Sequence, residues 1–403
     1  MREISPNRIY PRFASFLSDA TSKIAGRYWP SVFPIRDELG LRDSIMRIAL
    51  ARRGYSSTGG AEVYLSRLVR GLVENGEEVV LYSSDEWPVK AWPYGKVRRI
   101  PGDTPLKFAR ALHAQRRDFD CLLSLERVLE CDVYRAGDGV HASWLCRRRK
   151  FEPVWKAWFR SLNHKHMEIL KLERFAFNPR CTAMVIVNSR MVLEEILKYY
   201  NFPRERILLI PNGVQPRPIS SRDRMHIRNQ YGLSSEETVV LFAGTGWKRK
   251  GLYFAAEAIR ALKGQAKLLV VGQGSSKYAS LSHNTIFAGP TTCVAPFYAA
   301  ADIFLLPTIY DPSSNACLEA LASGLPVITT FSNGFSELLE NEAELGNVVE
   351  VGDVGGLTVA LERWLPREKR AISRHMRMEA AAAFSVERNA QQTLDAIKIA
   401  TSR

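Results

Sequence analysis

The chain has no run approaching the ~20 consecutive apolar residues that a membrane-spanning helix requires, so no spanning segment is expected. Its first 30 residues lack a continuous apolar centre, because Asp19, Lys23 and Arg27 interrupt them, and no secretory leader is read there. Cysteine is sparse. Cys121, Cys131, Cys146, Cys181, Cys293 and Cys317 stand apart with no C-x-x-C pair. That excludes a disulfide framework and indicates neither a zinc site nor a redox pair, so a reduced cytosolic compartment is expected. No internal repeat is visible. What is present is ordinary globular composition, 46% hydrophobic and 24% charged, which excludes a disordered or collagen-like chain. At 403 residues the chain is too long for one compact core, and two or three domains are expected.

Charge is unevenly distributed. Residues 1–216 carry 36 Lys and Arg against 24 Asp and Glu, a balance of +12, whereas residues 217–403 carry 20 against 18. A basic half beside a nearly neutral one points to an anionic partner for the first: nucleic acid, an anionic lipid surface or a phosphorylated substrate.

Residues 1–45 show no clear period, and the first convincing strand is Met46–Ala51. They are an uncertain N-terminal extension, either an over-extended reading frame ahead of a true start at Met46 or a real arm. From Met46 strand and helix patterns alternate. Strand 46–51 runs into the glycine-rich loop Gly54–Gly60, and Ala61–Glu74 follows with apolar residues near a 3.6 period. Strands are expected at Glu78–Tyr82, Cys121–Leu125, Ala183–Val187 and Ile207–Pro211, with helices at Lys165–Phe175 and Met191–Tyr199. Gln215–Arg224, with two prolines and no period, reads as a linker. A second alternating run follows. Its expected strands are Thr238–Ala243, Lys267–Val271, Thr285–Ala288, Asp302–Pro307 and Val327–Thr330, and its expected helices are Leu252–Leu262 and Ala316–Ser323. Such alternation predicts two open, largely parallel α/β sheets, divided as 46–216 and 217–385. Residues 386–403 form a terminal helix that could pack back on the first domain. Ligands of open parallel sheets bind at the carboxyl ends of strands, which places the site in the cleft between the domains.

Three segments of the second half could hold a sugar nucleotide. Gly244-Thr245-Gly246-Trp247-Lys248-Arg249-Lys250-Gly251 follows an expected strand and joins a glycine-bearing turn to three cations and a helix. Backbone N–H groups, a helix dipole and cationic donors are what phosphate binding requires. In Tyr310–Glu319 two carboxylates eight apart bracket a polar loop and a helix start. Asp311 could accept from sugar hydroxyls and Glu319 from ribose hydroxyls, with the free N–H groups of Ser314, Asn315 and Ala316 facing a diphosphate. Gly272-Gln273-Gly274 is the weakest, by itself an ordinary βα turn.

Together these residues resemble a known family. Asp311-x₇-Glu319 and the following Ala320–Ile328 are similar to the E-x₇-E region of the family 4 glycosyltransferases. So are Gly59-Gly60-Ala61-Glu62, Pro211-Asn212-Gly213-Val214 and Arg249-Lys250-Gly251, in the family's order. Asp132–Asp138 and Leu172-Glu173-Arg174 resemble, within it, the lipopolysaccharide core glucosyltransferase I group. The resemblance implies a GT-B fold, two Rossmann-like domains with acceptor on the first and nucleotide-sugar on the second. It also implies retention of anomeric configuration with no bound metal or other cofactor, and no D-x-D acidic pair is read next to a strand end. By motif position Arg249 and Lys250 would neutralise the departing diphosphate, Glu319 would bind ribose, and Asp311 would hold the hexose with one methylene less than the usual Glu. Gly59 and Gly60 would approach the donor phosphate. Asp138 would orient the acceptor hydroxyl or the sugar, or merely cap its loop, and His141 is a less favoured base. Glu62 is read as a first-turn acid of its helix.

The implied activity is hexose transfer, from UDP-glucose, to a lipid-linked or phosphorylated saccharide such as the lipopolysaccharide core, by a cytoplasmic protein held peripherally at the inner membrane's anionic face. The alternatives are a sugar-nucleotide epimerase or phosphorylase of the same fold, which donor alone would reveal, and a basic nucleic-acid-binding protein. The last leaves the acidic loop and the Arg-Lys-Gly turn without a role, so no nucleic-acid partner is expected.

Overall fold

The structure, a computed structural model, describes residues 45–402 apart from 57–59, 85–86, 89, 91, 116–117, 154–162, 216–219, 279–280, 282–283 and 341. The N-terminal extension and Gly59 therefore lie outside the described residues.

The first sheet has seven strands: β1 (Arg47–Ala51), β2 (Glu78–Ser83), β3 (Lys96–Arg99), β4 (Cys121–Ser124), β5 (Cys131–Arg135), β6 (Thr182–Val187) and β7 (Ile207–Leu209). Their order is β3-β2-β1-β4-β5-β6-β7, every neighbouring pair parallel. The second has six: β8 (Val239–Ala243), β9 (Lys267–Val271), β10 (Thr285–Gly289), β11 (Ile303–Leu306), β12 (Val327–Thr330) and β13 (Gly346–Val349). It runs β10-β9-β8-β11-β12-β13, also all parallel. Central strands are buried on both faces, which is why they read as continuous apolar runs: all five residues of β8 are buried. Strand order reverses between β1 and β4 and between β8 and β11, so each sheet opens a crevice at that point on its carboxyl edge.

The chain crosses between the domains twice. The first crossing follows Val214; the second, at Phe384-Ser385, lies beside it, with Val214 N–H donating to the Phe384 carbonyl at 2.8 Å. Helix Val386–Thr401 then packs on the first domain, where Ala390, Leu394, Ala396, Ile397 and Ala400 share one core with Ile48, Leu50, Leu65 and Leu68.

Two readings are corrected. The linker Gln215–Arg224 is too long, because helix Ser221–Gln230 begins inside it, capped by the Ser220 hydroxyl accepting from Asp223 N–H at 3.2 Å. That helix is held by arginines, not by an apolar stripe. Arg228 donates to the Ala300 carbonyl at 3.0 Å and Asp302 at 2.7 Å, and Arg224 to Asp302 at 2.9 Å. The second correction is an acidic D-x-D spacing that does exist beside a strand, Asp118-Phe119-Asp120 ahead of β4. It lies at the amino edge of the sheet, away from the crevice. Asp118 accepts from Tyr82 OH at 3.1 Å and from Arg98, and Asp120 from Arg47 N–H at 2.7 Å.

Candidate active site

The carboxyl edges of the two sheets face one another across a cavity of about 600 Å³. That volume suits a ligand of nucleotide-sugar size. Asp138, Gly60, Gly244, Arg249, Lys250, Asp311, Ser314, Asn315, Ala316 and Glu319 all line it. Of the residues singled out in the sequence only Gly59 cannot be placed, since it lies outside the described residues.

The donor-side wall is built from the turns after β8 and β11. After β8 the chain forms the short helix Trp247–Lys250 and then Gly251, whose φ of 78° breaks it ahead of helix Leu252–Ala261. A Cβ at Gly251 would stand 1.9 Å from the Pro307 carbonyl oxygen, so only glycine fits the turn that presents Arg249 and Lys250. Arg249 donates to the Tyr310 carbonyl at 2.9 Å, while its own carbonyl accepts from Ile309 N–H at 2.8 Å. Lys250 forms an ion pair with Asp311, and both side chains are largely buried. The β8 and β11 turns are thus one hydrogen-bonded unit.

Helix Asn315–Ala322 points its amino terminus into the cavity. Ser314 caps it, its hydroxyl accepting from Cys317 N–H at 3.4 Å. Glu319 lies one turn on. It accepts from Tyr298 OH at 3.2 Å and, across the cleft, from the first-domain Arg67 at 2.7 Å.

The acceptor-side wall carries cations that the sequence reading did not single out. Arg52, at the end of β1, meets Glu126 at 3.3 Å, Glu62 at 3.5 Å and Asp138 at 3.8 Å. Burial opposes its charge, but Glu126, Asp138 and Glu62 outweigh that and raise its pKa. Glu62 does lie in the first turn of helix Gly60–Glu74. The Asp138 side chain is 53% exposed, free to meet a ligand from the cleft.

Buried Glu173 organises the loop after Asp138. It accepts from the backbone N–H groups of His141 and Ala142 at 2.6 and 3.1 Å, capping helix His141–Arg149, and from Arg127 Nε at 3.0 Å and Tyr200 OH at 2.6 Å. Burial and then the Arg127 charge push His141 down to about 4, and its ring lies 3.1 Å from that of His166. A second-domain hydroxyl closes the loop from the other side: Tyr310 OH accepts from Val140 N–H at 2.9 Å and donates to Glu195 at 2.7 Å. Asn212, within the quoted Pro-Asn-Gly-Val run, bridges the domains too, donating to Asn315 Oδ1 at 2.7 Å and the Ser313 carbonyl at 3.1 Å. Among the described residues no three His, Cys, Asp or Glu side chains form a set able to hold a metal ion.

Comparison with known proteins agrees with this geometry. Residues 58–217 match the family model Glycosyltransferase Family 4, and residues 237–366 match Glycosyl transferases group 1. The lipopolysaccharide glucosyltransferase WaaG of Escherichia coli is 23% identical over 327 residues, covering 75% of this chain and 85% of WaaG. The lipopolysaccharide core biosynthesis glycosyltransferase LpsE of Rhizobium meliloti is 26% identical over 323 residues, 77% of this chain and 86% of LpsE. A crystal structure of WaaG superposes with a TM-score of 0.73 at 21% identity, covering 87% of this chain and 99% of that one. With two facing parallel-sheet domains and both of its halves matched, the chain belongs to the family 4 glycosyltransferases of GT-B fold and is related to the lipopolysaccharide core glucosyltransferases.

Proposed function

We propose that the protein transfers glucose from UDP-glucose to a lipid-linked saccharide such as the lipopolysaccharide core, with retention of configuration and without a metal ion. The observation that carries this reading is the convergence of Arg249, Lys250 and the amino terminus of helix 315–322 on one wall of the cleft. A departing diphosphate gains negative charge in the transition state, and preorganised cations and N–H groups stabilise that charge selectively. Lys250 is held by Asp311 in the free protein. Donor binding would draw its ammonium toward the phosphates and leave the Asp311 carboxylate to accept from the sugar's hydroxyls. Glu319, steadied by Tyr298 and Arg67, would take the ribose hydroxyls. Asp138 faces the cleft from the acceptor side, where it would orient the attacking hydroxyl. His141, neutral down to about pH 4 and engaged with His166, is the poorer candidate for that task.

The relationship to WaaG and LpsE supports a lipopolysaccharide-type acceptor, and a solved neighbour, Anabaena Alr3699/HepE, has been crystallised in complex with UDP-glucose. Peripheral attachment to the inner face of the inner membrane fits the +12 balance of residues 1–216; no helix among the described residues is long and apolar enough to cross a membrane. A thermal-shift screen against UDP, GDP, UDP-glucose, UDP-galactose and UDP-N-acetylglucosamine tests the donor. A transfer assay with and without EDTA tests the metal, and the anomeric coupling of the product tests retention. UDP-glucose is expected to give the largest shift, transfer to survive EDTA, and the product to be the α-anomer. No response to any uridine nucleotide would remove the reading.

A further inference from the structure

Arg135 ends β5 with its side chain in the cleft and only 3% of the residue exposed. Burying a guanidinium costs several kcal/mol unless opposite charge or a full set of acceptors meets it. Three other arginines at or near the cleft have such partners: Arg52 meets three carboxylates, Arg127 meets Glu173 and Arg67 meets Glu319, while Arg249, with one carbonyl partner, is only half-buried. Elsewhere, buried Arg377 is satisfied by three carbonyl oxygens. Arg135 has neither. Among the described residues its side chain has one hydrogen bond, to Asn212 Oδ1 at 2.5 Å, and its Nε meets no partner, while the Tyr64 ring lies 3.7 Å beneath its Cζ. Among the described residues no carboxylate pairs with it.

Its surroundings show where the missing charge belongs. Asn212, which accepts from Arg135, donates to Asn315 Oδ1, the first residue of helix 315–322, and Asn315 donates to the Gly60 carbonyl at 3.2 Å. Arg135 is therefore tied through one amide to a helix amino terminus that carries a partial positive charge of its own. Two positive elements this close favour an anion in the space that they share.

We propose that Arg135 is the first domain's phosphate-binding residue, taking a phosphate group held between it and the amino terminus of helix 315–322. The phosphate could be the donor's diphosphate or one carried by the acceptor; this choice of source rests on the nucleotide-sugar reading, whereas the site itself does not. The tyrosine face holds the guanidinium flat by a cation–π contact and leaves its edge to form paired hydrogen bonds with two phosphate oxygens.

The test uses the full chain with Arg135→Gln, which keeps a donor for Asn212 but loses the charge, and Arg135→Lys, which keeps the charge but loses the planar fork. Calorimetric titrations with UDP, and with inorganic phosphate on the UDP-saturated protein, separate the two sources. Arg135→Gln is expected to weaken one of these affinities by about tenfold to a hundredfold, the worth of a charge-assisted contact, with Arg135→Lys in between. Lost UDP affinity assigns the donor's phosphate. Intact UDP affinity with lost phosphate binding assigns the acceptor's. The free Arg135→Gln protein should also melt higher than wild type, since an uncompensated buried charge has gone. If both affinities stay at wild-type values, or Arg135→Gln lowers the melting temperature and moves neither, Arg135 is structural and the proposal falls. If wild type itself does not bind UDP, the nucleotide-sugar reading falls instead, and phosphate titrated onto the free wild-type and Arg135→Gln proteins then decides Arg135 alone.

Discussion

At the scale of single residues, Lys250 and Arg249 share a turn yet should respond differently to removal. Each offers a positive donor to the proposed leaving group, and losing one such donor typically lowers kcat by about 10²–10³. Arg249→Ala gives up one part-buried hydrogen bond to the Tyr310 carbonyl, which still accepts from the Thr308 hydroxyl at 3.1 Å, so its melting temperature should stay near wild type. Lys250→Ala strands Asp311, which is 6% exposed, and breaking a buried pair from one side costs about 3–5 kcal/mol. Pairing Lys250→Ala with Asp311→Asn should restore stability and leave activity low; calorimetry beside steady-state kinetics separates the two effects. Glu319→Ala should weaken UDP binding more than it lowers kcat, because a ribose contact is much the same in ground and transition states. His141 has its pKa depressed by burial to about 4, against about 6.5 in an unfolded chain. Between those values the unfolded chain binds the extra proton, so stability falls as pH drops from about 6.5 toward 4. His141→Gln should flatten that part of a stability-against-pH curve. Arg249, Lys250, Asp311 and Glu319 were legible in the sequence because each stands in a short local pattern at a strand's end. Arg135, Arg67 and Tyr298 were not, since what makes them notable is a partner, or a missing partner, far along the chain or on another element.

Elements were legible in proportion to how much of their hold comes from apolar burial. β8, β11 and, after Arg47, β1 are continuous apolar runs within a few residues of the expected limits. β3, with the sequence KVRR, is an edge strand with no fully buried residue, and neither alternation nor apolarity marks it. Helix Ser221–Gln230 buries only Ile227 and Arg228, and helix His141–Arg149 only Ser143, so neither shows a 3.6 period. Their anchors are arginine-to-carbonyl bonds and a buried glutamate cap, which leave no trace in a hydrophobicity pattern. The terminal helix 386–401 supports a sharper expectation. A Cβ on Gly71 would lie 2.3 Å from the Ala390 Cβ, so Gly71→Ala must push that helix off the first domain's core. Overpacking of this kind costs about 1–3 kcal/mol. The melting temperature should fall by several degrees while UDP affinity, set in the cleft at the far end of helix Gly60–Glu74, holds; an unchanged melting temperature would mean that the helix rides loosely.

The whole molecule carries its excess charge on the first domain, and the membrane proposal can be tested at that scale. Each Lys or Arg near an anionic bilayer contributes about 1 kcal/mol, and the attraction fades within a Debye length of ~8 Å at physiological salt. Co-sedimentation with phosphatidylglycerol vesicles should be strong at low salt and lost by roughly 0.5 M salt, with little binding to phosphatidylcholine. Equal binding to both lipids would point to apolar insertion instead.

The paired crossing at Val214 and Ser385 has a topological meaning. Two strands joined side by side by a hydrogen bond make a seam, and relative movement of the domains is confined largely to bending about it. The same seam makes the second domain an insertion whose two ends nearly touch. The first domain could therefore be closed by a short turn in its place and still keep its terminal helix, and the excised insertion could be carried intact into another loop.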